Sequence, residues 1–305
     1  MSRWTARDVP DQRGRTVVVT GASSGIGLQA ARVLAERGAE VVLAVRDITR
    51  GEAAASRISA AVQVRRLDLA DLASVRDFAA AAPERIDVLV NNAGVMAIPA
   101  GRTADGFETQ LGTNHLGHFA LTGLVLERLL RSADPRVVTV SSSLHKRGRI
   151  DFDDLQGERG YDKWAAYGQS KLANLLFASE LHRRASAAGL PLRSLAVHPG
   201  LATTNLYAAG MDAGSRGERL AARAGKLIGQ SDAMGAEPTL YAATVPDITG
   251  GAYVGPGGFN EMRGHPKLVE PSAAARDPAT ARRLWEVSEA LTGVRYAFSG
   301  SARRD

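Results

Sequence analysis

The sequence predicts an α/β fold: one doubly wound parallel sheet with helices on both faces. Three observations carry this. Short β-branched runs, among them TVVVT at 16–20 and EVVLA at 40–44, alternate with longer helical stretches. Near-continuous apolar runs of this length suit strands buried on both faces. A glycine-rich turn directly follows the first run and opens a helix, which is where a parallel sheet places a phosphate site.

Taken in order, the strand runs continue at 63–67, 88–90, 137–140 and 195–197, with helices expected over 26–37, 71–81, 107–130 and 166–188. Gly38 is a C-terminal stop for the first helix. Strand–helix alternation implies right-handed crossovers in one sheet. Residues 203–230 are rich in Ala, Gly and Arg and carry no strand signal. The stretch 201–235 is expected to be a lid over the substrate. Five glycines fall in 250–258, around a last strand at 252–254. Asp277-Pro278 then reads as an N-cap with proline at the first helical position. That helix runs through Leu284, Trp285 and Leu291 to Gly293. No repeat or linker interrupts the chain, so 1–305 is read as a single domain, with frayed tails at 1–13 and 297–305.

Composition narrows the function. Of 305 residues, 45% are hydrophobic and 23% charged, which excludes a disordered or fibrous chain. There is no Cys, so disulfides, thiolate metal sites and cysteine nucleophiles are excluded. The net charge of +6 comes from scattered arginines with few aromatics between them, which is not the pattern of a nucleic-acid surface. No apolar run approaches the ~20 residues of a membrane span, and the polar start of the chain lacks a signal-peptide core. These features predict a cytoplasmic protein without membrane insertion. The six histidines show no metal-ligand spacing with acidic partners, so no catalytic metal is expected.

The turn Thr20-Gly21-Ala22-Ser23-Ser24-Gly25-Ile26-Gly27 has the glycine spacing of a dinucleotide site. Glycine permits the tight turn and a close approach of backbone to pyrophosphate. The architecture is therefore Rossmann-type. About 20 residues beyond such a turn, an acidic residue selects NAD and an arginine accommodates the 2′-phosphate of NADP. Here Arg46 stands 19 residues after Gly27. NADP(H) is expected, with the neighbouring Asp47 as the residue that would permit NAD instead.

Tyr167 and Lys171 lie four apart on an expected helix and so share a face. An adjacent ammonium favours phenolate and is expected to lower the phenol's pKa. Ser141, Ser142 and Ser143 end one strand, and Asn91-Asn92-Ala93-Gly94 ends another. Both lie at the edge where parallel sheets bind ligands. Asn114 falls inside an expected helix, where asparagine is unfavourable.

In this order, TGASSGIG, NNAG, Asn114, Ser142, YGQSK and HPG resemble the short-chain dehydrogenase/reductases over about 16–204. The resemblance implies that Tyr167 moves the substrate proton, that Lys171 lowers its pKa and holds the nicotinamide ribose, and that Ser142 orients the carbonyl. It implies that Asn114 keeps a water linked to Lys171. Asp68 and Leu69 would contact adenine, Asn91 would brace the sheet beside the ribose, and Ala93 and Gly94 belong to the same cofactor edge. Pro199 and Gly200 would flank the nicotinamide, and Thr204 would bond its carboxamide. VVLAVRD and AYGQSKLANLLF further resemble the retinol dehydrogenase-like branch, a neighbour of the light-dependent protochlorophyllide reductases. That branch generally prefers NADP and has a long Ser-to-Tyr insertion. Ser142 and Tyr167 are 25 apart, which singles out Ser142 among the three serines.

The implied activity is interconversion of a carbonyl and an alcohol on a small, lipophilic substrate. Reduction of an activated C=C bond and a catalytically silent NADP-binding sensor are the alternatives. Val95, Met96 and Ile98 are candidates for an apolar pocket. Phe152, Tyr161 and Trp164, in the insertion 144–165, are candidates for its wall. The helix from residue 166 is apolar on several faces, so it is either covered by the C-terminal segment or pairs copies into a homodimer or homotetramer.

Overall fold

The structure, a computed structural model, describes residues 3–201 and 229–298. One eight-stranded sheet has the order β3-β2-β1-β4-β5-β6-β7-β8. Its strands are β1 (Thr16–Thr20), β2 (Glu40–Val45), β3 (Val62–Arg66), β4 (Val88–Asn91), β5 (Arg136–Val140), β6 (Arg193–Val197), β7 (Tyr253–Pro256) and β8 (Pro266–Leu268). All pairings are parallel except β7 with β8. Strand order reverses between β1 and β4, so the crevice for a ligand opens there, beyond the strands' C-terminal ends.

Helices α1 (Gly25–Glu36), α2 (Ile48–Ala55), α3 (Leu72–Ala80), α4 (Thr109–Leu111), α5 (Gly117–Leu124), α6 (Leu126–Leu130), α7 (Lys163–Ala187), α8 (Asp232–Thr244) and α9 (Pro278–Thr292) complete the described elements. Alternate residues of each strand face opposite layers. Val17, Val19, Val88, Val90, Val138 and Val140 join Leu34 and Leu240 on the α1/α8 side. Leu89 and Val137 join Phe78, Phe119, Leu172 and Phe177 on the α3/α5/α7 side.

The stretch 107–130 is not one helix. A π-helical turn at Gly112–Leu116 separates α4 from α5, and α6 follows a break at Val125. Two glycines at and after the π turn pack tightly on other elements. A Cβ on Gly112 would lie 2.4 Å from Thr103 Cγ2, and one on Gly117 would lie 2.4 Å from the Leu69 carbonyl. The widened turn carries Asn114 and His115 into the interior, both about 1% exposed or less.

Three further expectations are corrected. The N-terminal segment is not frayed from Thr5 on: Thr5 and Asp8 form a reciprocal capping box, and Val9 and Gln12 are buried. Residues 232–235, expected in the lid, begin α8, which lies on the sheet; 202–228, with Thr204, fall outside the described residues. Phe298 packs against the core, and the rest of the expected C-terminal tail, 299–305, lies outside the described residues. By contrast, Asp277 accepts the amides of Ala279 and Thr280, and Gly293 closes α9 in the left-handed conformation, as the sequence implies. The apolar outer side of α7 is covered by α9, with Trp285 stacked on Phe177 at 5.9 Å.

Candidate active site

The glycine turn is built by close packing. Gly21 has φ +66°, and a Cβ there would lie 2.8 Å from Ala93 Cα. A Cβ on Gly27 would lie 2.3 Å from Asn92 Nδ2 and 2.8 Å from the Gly21 carbonyl. The turn after β1 therefore rests on the turn after β4. Asn92 locks the two together: its side-chain amide donates to the Thr20 carbonyl at 2.8 Å, and its backbone N–H to Thr20 Oγ1 at 2.9 Å. Ala93 N–H also donates to Thr20 Oγ1. Asn92 had been assigned no role from sequence, although it lies in the NNAG motif. Its partners, Thr20 and Gly27, are distant in sequence, so no local signal marks it.

Ser24, exposed at the N-cap of α1, makes no capping bond with its side chain. Ser23 is half-buried beside it, and Ile26 turns into the core. The N-terminal amides of α1 thus face the crevice with a free hydroxyl beside them, a setting for a diphosphate. Arg46 is exposed at the end of β2. Asp47, also exposed, caps α2: its Oδ1 accepts the Arg50 amide at 3.0 Å. Asp68 turns its carboxylate onto the Ala70 amide at 3.0 Å, and Leu69 is buried under Gly117. Asn91 braces α5 by donating to Thr122 Oγ1 at 3.0 Å.

The reacting groups gather at the ends of β4 and β5. Ser142 caps the turn after β5, its Oγ accepting the Leu144 amide at 3.2 Å, and its hydroxyl is close enough to the Tyr167 phenol to favour the phenolate. Ser141 instead donates to the Lys171 carbonyl at 2.7 Å and is buried, so its role is to hold α7. Lys171 Nζ lies 5.7 Å from the centre of the Tyr167 ring and donates to the Val140 carbonyl at 3.1 Å. A Cβ on Gly94 would lie 3.5 Å from Lys171 Nζ and 3.0 Å from Asn114 Oδ1, so glycine keeps this corner open without crowding Asn114.

Asn114 is held on all sides. Its Oδ1 accepts the Val95 amide at 2.8 Å, and its Nδ2 donates to the Val95 carbonyl and to Ser170 Oγ, each at 2.9 Å. Its backbone carbonyl faces His118 Nδ1 at 3.0 Å, and His118 Nε2 faces Thr20 Oγ1 at 2.9 Å. Burial pulls His118 down to about 4. The neutral ring then donates from Nδ1 and accepts at Nε2, linking the glycine turn to Asn114.

One electrostatic expectation is corrected. Burial pushes the Tyr167 phenol up to about 12, and the nearby Ser142 hydroxyl opposes this only in part. Burial also pulls Lys171 down to about 8. Desolvation is thus the largest cause of both shifts.

On the substrate side, Met96, Ala97 and Tyr167 form a small apolar cluster with Leu144 and Trp164. Pro199 and Gly200 follow the end of β6. Gly200 has φ +66°, and a Cβ there would lie 2.4 Å from the Met262 carbonyl. Among the described residues no cluster of three His, Asp or Glu is arranged to hold a metal, and no helix is long and apolar enough to cross a membrane.

A parallel sheet with a glycine turn at its switch point and a Ser–Tyr–Lys group at its C-terminal edge defines a nicotinamide-dependent oxidoreductase of the short-chain type. The comparisons agree. The family model described as short chain dehydrogenase matches residues 15–212. Mouse retinol dehydrogenase 12 is 43% identical over 296 residues, covering 93% of this chain and 88% of the relative. The crystal structure of an uncharacterized protein from Mycobacterium paratuberculosis is 49% identical with a TM-score of 0.82, covering 97% of this chain and all of that one. A structure from Beutenbergia cavernae, described as an NAD(P)-dependent gluconate 5-dehydrogenase with NADP bound at low occupancy, is 28% identical. Its TM-score is 0.60, over 77% of this chain and 92% of that one. The chain belongs to the short-chain dehydrogenase family, and within it is similar to the retinol dehydrogenases.

Proposed function

We propose that this protein is an NADP(H)-dependent oxidoreductase that interconverts a carbonyl and a primary or secondary alcohol on a small apolar substrate. The observation that carries this is the meeting of the Ser142 hydroxyl, the buried Tyr167 phenol and Lys171 at one corner left open by Gly94.

The cofactor cradle fits a dinucleotide. The α1 N-terminus offers its amides, Ser24 has an uncommitted hydroxyl, and the packing of Gly21 on Ala93 excludes bulk where a pyrophosphate would lie. NADP is favoured because Arg46 is exposed while Asp47 caps α2. A guanidinium matches a 2′-phosphate through charge-assisted bonds. The Beutenbergia relative's bound NADP supports the same reading.

When bound, the nicotinamide supplies or accepts the hydride. The chain's own residues handle the proton. At neutral pH a phenol with pKa about 12 is protonated, so Tyr167 is ready to donate to a carbonyl oxygen oriented by Ser142. A charged Lys171 nearby offsets the phenolate that donation leaves. Met96, Ala97, Leu144 and Trp164 present apolar surface beside the phenol and keep water from it.

Calorimetric titration with NADPH and then NADH, on the wild type and Arg46→Ala, tests the reading without knowledge of the substrate. NADPH should bind at least about tenfold tighter than NADH, as one charged hydrogen bond allows. That preference should vanish in Arg46→Ala, with NADH affinity unchanged. Tighter NADH binding would overturn the NADP assignment, and binding of neither would overturn the oxidoreductase reading.

A further inference from the structure

Ala97 has φ +50° although it carries a side chain and is 2% exposed. A left-handed alanine buried beside Tyr167 is strained and persists only where its surroundings impose it. What imposes it is visible. The Ala97 N–H donates to Gln110 Oε1 at 2.8 Å. Gln110, itself fully buried, uses its amide group to donate to Tyr161 OH at 2.8 Å and to the Lys163 carbonyl at 2.9 Å. Tyr161 OH in turn donates to the Ile98 carbonyl at 3.0 Å. One glutamine side chain therefore joins the loop after β4, the long insertion after Ser142 and the first turn of α7.

The Tyr161 hydroxyl also lies 3.3 Å from Glu108 Oε1, the carboxylate that caps α4. Gln110 touches neither Tyr167, Lys171 nor the glycine turn through any described hydrogen bond. It fixes residues 96–98 on one side and 161–163 on the other. Met96 and Ala97 from the first, with Trp164 next to the second, form the apolar wall on Tyr167. Without the amide bond, Ala97 is free to relax to negative φ, which would swing Met96 away from the phenol.

We propose that Gln110 is a positioning residue for substrate specificity. With Tyr161 as its lock, it holds Met96–Ala97 in a strained backbone conformation so that the wall fits a compact apolar carbonyl against Tyr167. The inference rests on the proposed reaction and names which residues set its selectivity.

The test uses Gln110→Leu, Tyr161→Phe and Ala97→Gly in the full chain, with a graded series of aliphatic and aromatic aldehydes and ketones. Gln110→Leu should raise KM for the preferred apolar carbonyls about tenfold, the loss of uniform binding that follows when an apolar wall withdraws from its substrate. kcat for the substrates that still bind and the Kd for NADPH should stay close to wild type. Tyr161→Phe should show the same pattern more weakly. Adding Ala97→Gly to Gln110→Leu should recover part of the lost KM, since glycine occupies the left-handed region without strain. A merely structural role would not give this rescue.

Exchange of the Ala97 amide provides a readout independent of turnover: its protection should fall in Gln110→Leu. Unchanged substrate ranking in Gln110→Leu, or an equal loss of NADPH affinity, would overturn the inference. If the wild type turned over no carbonyl, the proposed reaction would fall. The clamp itself would then stand or fall on the amide exchange and on the Kd of the same apolar ligands.

Discussion

Lys171 Nζ donates to the carbonyl of Val140 at 3.1 Å, so the ammonium is fixed to the strand that ends two residues before Ser142. Burial brings its pKa to about 8 while the Tyr167 phenol rises to about 12. Below about pH 8 the ammonium is charged and compensates a transient phenolate. Above it, that compensation is lost. Carbonyl reduction should therefore be flat from about pH 6 to 7.5 and decline above 8. Alcohol oxidation, which begins with removal of the phenol's proton, should climb through neutral pH. Steady-state pH profiles in both directions check this, and parallel profiles would contradict it.

The glycine turn makes a steric prediction. A Cβ at position 27 would lie 2.8 Å from the Gly21 carbonyl and 2.3 Å from the Asn92 amide. Backbone cannot yield as a flexible side chain does, so Gly27→Ala should cost about 1–3 kcal/mol of stability and weaken NADPH binding. Asn92→Ala should loosen the same pair of turns from the other side. Thermal melts with and without NADPH would show a smaller cofactor-induced rise in both variants.

Buried histidines set the acid limit, and His198, held at about 4 by burial, acts beside His115 and His118. Burial holds His115 at about 3 and His118 at about 4, against 6.5 for an exposed imidazole. All three are neutral in the folded protein, whereas the unfolded chain binds their protons below pH 6.5. Their contribution to stability is thus complete above 6.5 and is lost as pH falls toward the folded values. Each imposes a slope of about 1.4 kcal/mol per pH unit inside that window. Urea midpoints measured from pH 7.5 down to 5 should decrease below 6.5; a flat series would show that none of these rings is buried neutral.

The covering of α7 by α9 can be tested at Trp285. It is 2% exposed and meets Phe119, Phe177 and Tyr296 at ring distances of 5.0, 5.9 and 4.5 Å. Trp285→Ala should cost about 3–5 kcal/mol. Denaturant unfolding reads this directly, and a loss under 1 kcal/mol would mean that α9 does not cover α7.

What was legible in the sequence was written in local chemistry. The TVVVT strand with its glycine turn, the i, i+4 spacing of Tyr167 and Lys171, and the Asp277-Pro278 start with its Gly293 stop each depend on neighbouring residues. What was missed depends on distant ones. The break in 107–130 falls where Gly112 packs on Thr103 and Gly117 on Leu69. Helix α8 was hidden by small residues and by Pro238 within it, and β8 by having only three residues, two of them exposed. Neither Asn92 nor Gln110 was given a role, because each acts through a partner far away in sequence. The upward shift of Tyr167 is not legible in the sequence, because adjacent charge is visible there and burial is not.

The central claim is that Tyr167 moves the proton. The most direct measurement is single-turnover oxidation of NADPH by Tyr167→Phe with an apolar aldehyde, beside calorimetry of NADPH binding to the same variant. The account predicts loss of turnover by about a thousandfold or more, within the range for general acid catalysis, with NADPH affinity close to wild type. Turnover at the wild-type rate with the phenol removed would contradict it.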